Sequence, residues 1–524
     1  MISFMKPDFG NHYDVIVIGG ALAGLSAALT LIKEGFKVLV LEQHNLPGGV
    51  ATSYVRGGVE IEASLHEMCS IGSISNPLAG RKILSEYGVD VNWIKIPDSY
   101  RLLTPSLDVR VRSGDEGDFS KPAEDIAKAC GDKDGSIYKK VLDFFSFCLF
   151  THASADEYSE RDIPKLEIFA KHRNLMKGLG YTFLDVAKGF GLPQKAIDIL
   201  SAYWIYLGGP LSDMPFTLYG FILADYIGYG AYIPKNTSYE ISLKMLERFL
   251  GLGGEAEFSQ KVSKVLVKDK KVRGVRLDNG VEISCDYVIS GAYPNSVYSK
   301  MIEPREEVSK KMIKTVNSMD LGISCFSVNM VLDKDYQELG IKDYATFYSL
   351  DEIDTDKLFS SGKEINEWRY LTSVCMNVVN KDASPKGTCV YNITYLPSGE
   401  SFKDVTPENY QKVKERIVGF FLKKESERLG VDLTKHILEI EVQTPLTISR
   451  YVGAYMGTIY GYRHSMDNHS VARQMVKEDF IKGLYFAGSH SPGGDGMSPA
   501  IQNGRTAAKT LIKHNRKNKG RKNQ

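Results

Sequence analysis

The sequence is poor in cysteine, and the cysteines that it has are scattered. They number seven, an odd count, and none of them is spaced as a C-x-x-C pair. This distribution argues against a disulfide framework and offers no zinc-binding pattern. We therefore expect no metal site, and we expect the protein to work in a reducing compartment.

Long apolar runs and an excess of one charge are also missing. No run reaches the ~18 apolar residues of a membrane-spanning helix, and the N-terminus shows no apolar signal segment. The formal net charge is +1, which gives no reason to expect a nucleic-acid partner. These absences predict a cytoplasmic protein, whose membrane contact would be peripheral and at the inner face.

The sequence does contain a strand–helix–strand pattern near its N-terminus, over residues 13–42. Tyr13 to Ile18 is a short apolar run typical of a buried strand. A glycine turn, apolar residues at helical spacing and a second apolar run ending at Glu42 follow. Gly35 lies where the helix needs a left-handed C-cap. This is a βαβ unit of about 30 residues, the context in which a glycine fingerprint indicates dinucleotide binding.

The glycines and the acid of this unit suit a dinucleotide. Gly19 allows a tight turn after the first strand, and Gly24 lets the helix lie close to the sheet. The helix N-terminus offers N–H groups and partial positive charge to a pyrophosphate. Glu42 can accept hydrogen bonds from a ribose. Ala21 replaces the middle glycine of G-x-G-x-x-G, so a methyl group would lie in the path of the phosphates.

A second strand, followed by a glycine-rich loop and a helix, lies near the C-terminus. Residues 483–488 form the strand, and the loop continues to Met497. Ser498 is a suitable N-cap and Pro499 a suitable first helical residue. A helix N-terminus after such a loop is again an anion site. The basic segment KHNRKNKGRKNQ that ends the sequence is predicted to be a disordered, solvated tail.

These motifs resemble those of a flavoprotein family. The glycine unit, then Pro-Gly-Gly and G-V-E-I-E-A-S-L-H, is similar to bacterial phytoene desaturases, carotenoid isomerases and retinol saturases, within the amine-oxidase-like group. G-T-I-Y-G and the C-terminal block match the same family in order. Val50 stands where many members have a basic residue after Gly-Gly.

The resemblance implies an α/β fold, in which a discontinuous Rossmann-type FAD-binding domain joins a mixed-sheet plus helical substrate domain. The FAD-binding domain would comprise residues 11–95, 231–300 and 475–515. The substrate domain would comprise 96–230 and 301–474, and 516–524 would be the basic tail. From the pattern and the resemblance together, the expected cofactor-binding residues are Gly19, Ala21, Gly24, Glu42, Gly48, Gly49, Val262, Gly488, Met497 and Ser498.

Few polar residues stand in segments that should reach the flavin. They are His66, Glu67, Tyr460, Arg463, His464 and His490, each a possible proton donor or substrate orienter. Of these, the catalytic candidates are His66, His490, Tyr460 and Arg463. His66 and His490 come first, because the family fold would bring their segments to the flavin. Arg463 could instead anchor a carboxylate. There is one nucleotide fingerprint and no second one for a nicotinamide, so the flavin itself would perform the chemistry.

An aromatic stretch over residues 197–234 can line an apolar pocket, lie at a membrane interface or be ordinary core packing. With the resemblance, it predicts an FAD-dependent oxidoreductase that desaturates or saturates carbon–carbon bonds of a polyene or isoprenoid lipid. One alternative is a redox-neutral double-bond isomerase of a carotenoid or polyunsaturated fatty acid. Others are a flavin amine oxidase and a noncatalytic, flavin-bound lipid-binding module.

Overall fold

The computed structural model describes residues 9–10, 12–160, 177–468, 480–491 and 493–522. The strands are β1 (Tyr13–Ile18), β2 (Val38–Leu41), β3 (Ser53–Arg56), β4 (Val59–Glu62), β5 (Trp93–Lys95), β6 (Asp98–Leu103), β7 (Asp108–Arg112), β8 (Tyr232–Pro234), β9 (Glu255–Glu257), β10 (Val262–Lys268), β11 (Lys271–Leu277), β12 (Glu282–Ser290), β13 (Ile302–Glu303), β14 (Phe326–Leu332), β15 (Ala345–Ser349), β16 (Tyr370–Cys375), β17 (Cys389–Tyr395), β18 (Ile437–Gln443) and β19 (Leu484–Phe486).

The α-helices are Leu22–Lys33, Ala79–Tyr87, Ser120–Ala129, Ser136–Glu160, Phe183–Gly189, Gln194–Leu200, Phe216–Ile222, Tyr239–Gly251, Pro294–Ser296, Lys310–Asn317, Thr355–Ser361, Pro407–Leu429, Pro445–Val452 and Met497–Lys522. Short 3-10 helices include Ser201–Tyr206, and Leu223–Tyr229 is a π-helix. Within the described ranges, no helix is both long and apolar enough to cross a bilayer. Peripheral membrane contact stays a prediction.

The first sheet is the nucleotide-binding sheet. Its strand order is β13-β10-β11-β12-β1-β2-β9, and β19 also pairs with β12. β1 runs parallel to both β2 and β12, and its residues are almost completely buried, as in sheets covered on both faces. The helix Leu22–Lys33 ends as predicted, because Gly35 has a φ of +82°. The strands come from three separate parts of the chain, which agrees with a discontinuous Rossmann-type domain.

The second sheet is the mixed sheet predicted for the substrate domain. Its order is β18-β14-β17-β16-β15-β6-β7. β6 and β15 are parallel, whereas β6 and β7 form an antiparallel hairpin. The chain leaves the first domain after β5 and returns through β8, and these two strands pair with each other. The predicted boundaries at 95/96 and 230/231 therefore fall on one two-stranded connection.

The aromatic stretch 197–234 lies mainly inside the second domain. Tyr203, Phe216 and Tyr219 have no exposed surface, and they belong to one large apolar core with residues of β6, β7 and β15. The membrane-interface interpretation of this stretch is therefore wrong. Core packing and the lining of an apolar pocket remain as interpretations of this stretch.

The C-terminal helix differs from the prediction at both ends. The N–H of Ala500 donates to the carbonyl of Gly496, so the helix begins before Ser498, and Ser498 does not cap it. The Ser498 hydroxyl instead donates to the carbonyl of Cys69 at 2.6 Å. The basic segment is helical up to Lys522 and is not a disordered tail, because lysine and arginine favour continuation of a helix that is already anchored.

The helices Leu22–Lys33 and Met497–Lys522 of the nucleotide-binding domain cross with their backbones in contact at Gly504. A Cβ there would lie 2.0 Å from the carbonyl oxygen of Ala23 and 2.9 Å from Cβ of Ser26. The Ser26 hydroxyl donates to the carbonyl of Ile501 at 2.6 Å across the same crossing. This crossing therefore leaves no room for a side chain at Gly504.

Gly504→Ala should destabilise the protein by about 1–3 kcal/mol, because the added methyl must push the helices apart. The matched control is Gly419→Ala, in the exposed middle of the helix Pro407–Leu429, where a Cβ meets nothing within 4 Å. That change should stabilise by about 0.5–1 kcal/mol, since alanine favours helix. Urea denaturation measures the free energy of unfolding of both variants. Equal stability of Gly504→Ala and wild type would contradict the close crossing.

Candidate active site

The glycine turn after β1 has the conformation that a dinucleotide site needs. Gly19 has a φ of +102°, a region that favours glycine. A Cβ on Gly24 would lie 1.9 Å from the carbonyl oxygen of Gly19, so the helix Leu22–Lys33 begins at the turn only because Gly24 has no side chain. The first N–H groups of this helix have no acceptor within it. They are available to a phosphate at the carboxyl end of β1.

Glu42 lies against the same turn from the end of β2. One carboxylate oxygen accepts from the N–H of Gly20 at 2.7 Å, and the other accepts from the N–H of His44 at 2.8 Å. The residue is 8% exposed. A carboxylate oxygen accepts more than one hydrogen bond, so Glu42 can also bind ribose hydroxyls. The N–H of Gln260 donates to the Glu42 carbonyl, which brings Val262, the first residue of β10, toward this end of the site.

The second glycine pair accommodates the methyl group of Ala21. The N–H of Gly48 donates to the carbonyl of Gly20 at 2.9 Å, and Gly48 forms a bridge with Ala21. A Cβ on Gly49 would lie 3.0 Å from Cβ of Ala21. Gly49 thus provides the space that Ala21 needs in place of the missing middle glycine.

The C-terminal glycine loop is held in shape by Asn503. Its Oδ1 accepts from the N–H of Gly493 at 3.1 Å, and its Nδ2 donates to the carbonyls of Gly488 at 3.1 Å and Gly494 at 2.8 Å. Sequence reasoning missed Asn503. The available signal was an amide among the small and apolar residues on the inner face of the helix Met497–Lys522.

Two buried polar atoms of this loop fit a bound flavin. The hydroxyl of Ser491 and Oδ2 of Asp495 are buried and have no hydrogen-bond partner among the described residues. Buried polar groups normally have partners, so these two atoms suit a polar ligand. The polar edge of a flavin would supply such groups at the N-terminus of the helix Met497–Lys522. With Glu42 and the two glycine turns, the residues fit FAD.

The G-T-I-Y-G segment packs directly on this loop. A Cβ on Gly461 would lie 2.9 Å from the Ser489 hydroxyl. The imidazole Nε2 of His464 is hydrogen-bonded to Oδ1 of Asp495, and both side chains are almost completely buried. His464 is one of the polar candidates from the sequence, whereas Asp495 was not predicted. The close contact of Gly461 with Ser489 could not be read from either motif alone.

Two of the four catalytic candidates have other partners. The guanidinium of Arg463 donates to Asp213 at 2.7 Å and to Asp320 at 2.9 Å, so it is already paired and does not suit a substrate carboxylate. The ring of His490 is 2% exposed. It lies edge-on to Phe486 and Tyr293, with centroids 6.0 Å and 6.4 Å away, on the side of the nucleotide-binding core.

The other two candidates, His66 and Tyr460, are deeply placed side chains. Nε2 of His66 lies 3.1 Å from Asn392 and 3.3 Å from Thr394, both on β17. Burial lowers the pKa of His66 to about 4, and burial, followed by the charge of Asp495, raises the pKa of Tyr460 well above its usual value. Both side chains nevertheless keep some accessible surface.

Comparison with curated proteins finds relatives over nearly the whole chain. Prolycopene isomerase of Daucus carota is 24% identical over 93% of this chain and 78% of the relative. All-trans-retinol 13,14-reductase of Danio rerio is 24% identical over 93% and 84%. The 4,4'-diapolycopene oxygenase of Methylomonas sp is 24% identical over 96% and 98%.

Solved structures share the fold. An oxidoreductase from Methanosarcina mazei superimposes with a TM-score of 0.61 at 15% identity, over 95% of this chain and 100% of that one. Putrescine oxidase bound to putrescine gives a TM-score of 0.61 at 14% identity, over 96% and 99%.

The family model described as flavin containing amine oxidoreductase matches residues 22–512. This match includes the first helix, the second sheet, the C-terminal glycine loop and every strand of the first sheet except β1. The predicted fold class, the enzyme class and the cofactor FAD are thereby confirmed. The chain belongs to the flavin containing amine oxidoreductase family.

Proposed function

We propose that this flavoenzyme adds or removes hydrogen across a carbon–carbon double bond of a polyene or isoprenoid lipid. The observation that supports this most is the partial exposure of His66 and Tyr460 at deeply placed positions, the latter next to Gly461, which packs on the C-terminal glycine loop. From this we infer an enclosed space beside that loop, which Tyr460 and His66 would line and which the tyrosine-rich stretch 197–234 would border. The relatives whose names refer to prolycopene, retinol and diapolycopene suggest the substrate class.

The charge state of this space suits an apolar chain. At neutral pH the imidazole of His66 is uncharged, because burial lowers its pKa to about 4. Burial also raises the pKa values of Tyr206, Tyr226 and Tyr460 well above 10, so these phenols are neutral. Arg463 is paired with two carboxylates. A charged amine or carboxylate would lose its hydration without gaining a counterion from these residues.

The chain's own residues prepare the site for redox chemistry. When bound, FAD accepts or donates a hydride. The N-terminus of the helix Met497–Lys522 favours negative charge on the reduced ring. Asn503 fixes the glycine loop that precedes this helix. The enclosed space excludes water, which protects the reacting carbon from competing proton exchange.

Redox-neutral isomerisation of a double bond is the second candidate. Its support is the Daucus carota relative named prolycopene isomerase, which aligns over 93% of this chain. The same enclosed space and the same flavin would serve both reactions, because both begin at a carbon next to a double bond.

Glu42→Ala should weaken FAD binding by about 1.5–3 kcal/mol, because a charged acceptor for the ribose is lost. Glu42→Gln keeps the side-chain shape and one acceptor oxygen, so it should weaken FAD binding less than Glu42→Ala does. Glu34→Ala, at an exposed ion pair with Arg516, is the control and should change little. FAD retained per protein after dialysis is the measurement. Wild-type retention by Glu42→Ala would show that the ribose assignment is wrong.

Anaerobic incubation with candidate polyenes should change the substrate mass by one molecule of hydrogen. Oxidised FAD should give a lighter product, and prereduced FAD a heavier one. Mass spectrometry with absorbance spectra of the products separates the two candidate functions. A product of unchanged mass with a shifted absorbance would replace our first proposal by isomerisation.

A further inference from the structure

Glu67 is a buried acid inside the aromatic layer of the second domain. It is 5% exposed, and its Oε1 accepts from the phenol of Tyr206 at 2.8 Å. The phenol of Tyr203 also acts on this carboxyl group as a hydrogen-bond donor, but Oε2 makes no well-formed hydrogen bond among the described residues. Leaving such a group half-paired in apolar surroundings costs free energy. A group that exchanges a proton would account for that cost.

Tyr206 connects this acid to the enclosed space. Its ring packs against Tyr203 and Tyr226, with centroids 5.0 Å and 5.4 Å away. Burial and then the charge of Glu67 raise the pKa of Tyr206 well above its usual value, yet the side chain keeps some accessible surface. His66 and Tyr460 likewise have pKa values shifted by burial and keep some accessible surface. We therefore infer that Tyr206 faces the same enclosed space.

A hydrogen bond ties the segment of this acid to the flavin side. The carbonyl of Cys69, two residues after Glu67, accepts from the hydroxyl of Ser498 at 2.6 Å. Ser498 lies in the first turn of the helix Met497–Lys522, whose N-terminus would face the flavin. Glu67 is therefore close in the chain to a residue that contacts the end of the helix that would hold the cofactor.

We propose that Tyr206 and Glu67 form the proton-transfer pair of this enzyme, with Tyr206 exchanging a proton with the substrate carbon and Glu67 exchanging it with Tyr206. The proposal rests on the proposed function. His66 is less suited, because its neutral ring is engaged by Asn392 and Thr394.

In hydrogen removal, the carbon–hydrogen bond breaks and its proton passes to the phenol oxygen of Tyr206. The phenol proton passes at the same time to the carboxylate of Glu67. The second hydrogen would leave the neighbouring carbon as a hydride, which bound FAD would accept, and the double bond would form. The substrate is thus oxidised by two electrons, and hydrogen addition is the reverse. The two proton transfers must be concerted, because burial raises the pKa of Tyr206 well above its usual value and a free tyrosinate does not form.

Glu67 is the group of this cluster that titrates near neutral pH. Burial raises its pKa from 4.5 to about 8. Tyr203, Tyr206, Tyr226, Tyr344 and Cys69 surround it, and burial raises the pKa of each well above its usual value. His66, the preceding residue, titrates at about 4. A proton that binds near pH 8 in this cluster therefore belongs to Glu67.

The effect on stability has a defined sign. Because the folded state binds this proton more tightly than the unfolded chain does, the contribution of Glu67 to stability is complete below pH 4.5 and is lost as the pH rises to about 8. Glu67→Gln cannot titrate. The difference in melting temperature, wild type minus Glu67→Gln, should fall between about pH 5 and pH 9. A difference that does not vary with pH would overturn the proposal.

The kinetic test uses the FAD-loaded enzyme with a polyene that the wild type converts. Tyr206→Phe should lower kcat by about 10²-fold or more with little change in KM. Glu67→Gln should remove the ionisation near pH 8 from the pH profile of kcat, and Glu67→Asp should restore part of it. The control is Tyr370→Phe, a buried tyrosine whose hydroxyl donates to the carbonyl of Ala202 at 2.9 Å; it should keep wild-type kcat.

The outcomes separate this proposal from the proposed function. An active wild type with unchanged kcat and pH profile in both Tyr206→Phe and Glu67→Gln would overturn the proton pair and leave the proposed function standing. A fully FAD-loaded wild type that converts no polyene would overturn the proposed function, and the pair with it. If Glu67→Gln fails to fold, the kcat of Tyr206→Phe, which keeps the aromatic ring, tests the proton pair by itself.

Discussion

Backbone contact at glycines brings the two halves of the nucleotide site together. The helix Leu22–Lys33 contacts the turn after β1 at Gly24, and Met497–Lys522 crosses that helix at Gly504. A methyl group at either position would meet a backbone carbonyl at about 2 Å. The contact of Ala23 with Gly504 and the ion pair of Glu34 with Arg516 further along show that the two helices run in the same direction, so both N-termini lie toward the same end of the domain. Two partial positive charges therefore face one bound cofactor.

The titratable groups that would line the proposed enclosed space of the second domain are mostly neutral. At neutral pH, burial keeps the imidazole of His66 unprotonated and most of Glu67 protonated, since its pKa is raised to about 8. The charges that remain nearby are paired, as in Arg463 with Asp213. Such a space accepts an apolar chain readily, and it keeps one acid able to exchange a proton. Substrate class and proton chemistry thus have the same physical cause, which is burial.

The features predicted from the sequence were those that depend on neighbouring residues. Gly19, Gly24, Gly35 and Glu42 belong to one local βαβ pattern, and the structure places them as expected. The roles of Asn503 and Asp495 and the contact of Tyr206 with Glu67 were missed, because each depends on a contact between distant segments. Ser498 shows how a distant contact overrides a local pattern. Its local sequence favours a helix N-cap, but its hydroxyl donates a hydrogen bond to the carbonyl of Cys69.

The most direct test of this account is ligand binding to the oxidised, FAD-loaded protein without oxygen. A conjugated polyene and an aliphatic diamine are titrated separately while the visible spectrum of FAD is recorded. The account predicts a saturable change in the FAD spectrum with the polyene and none with the diamine. Bleaching of the FAD by the diamine, with no response to the polyene, would contradict an enclosed apolar substrate site beside the flavin.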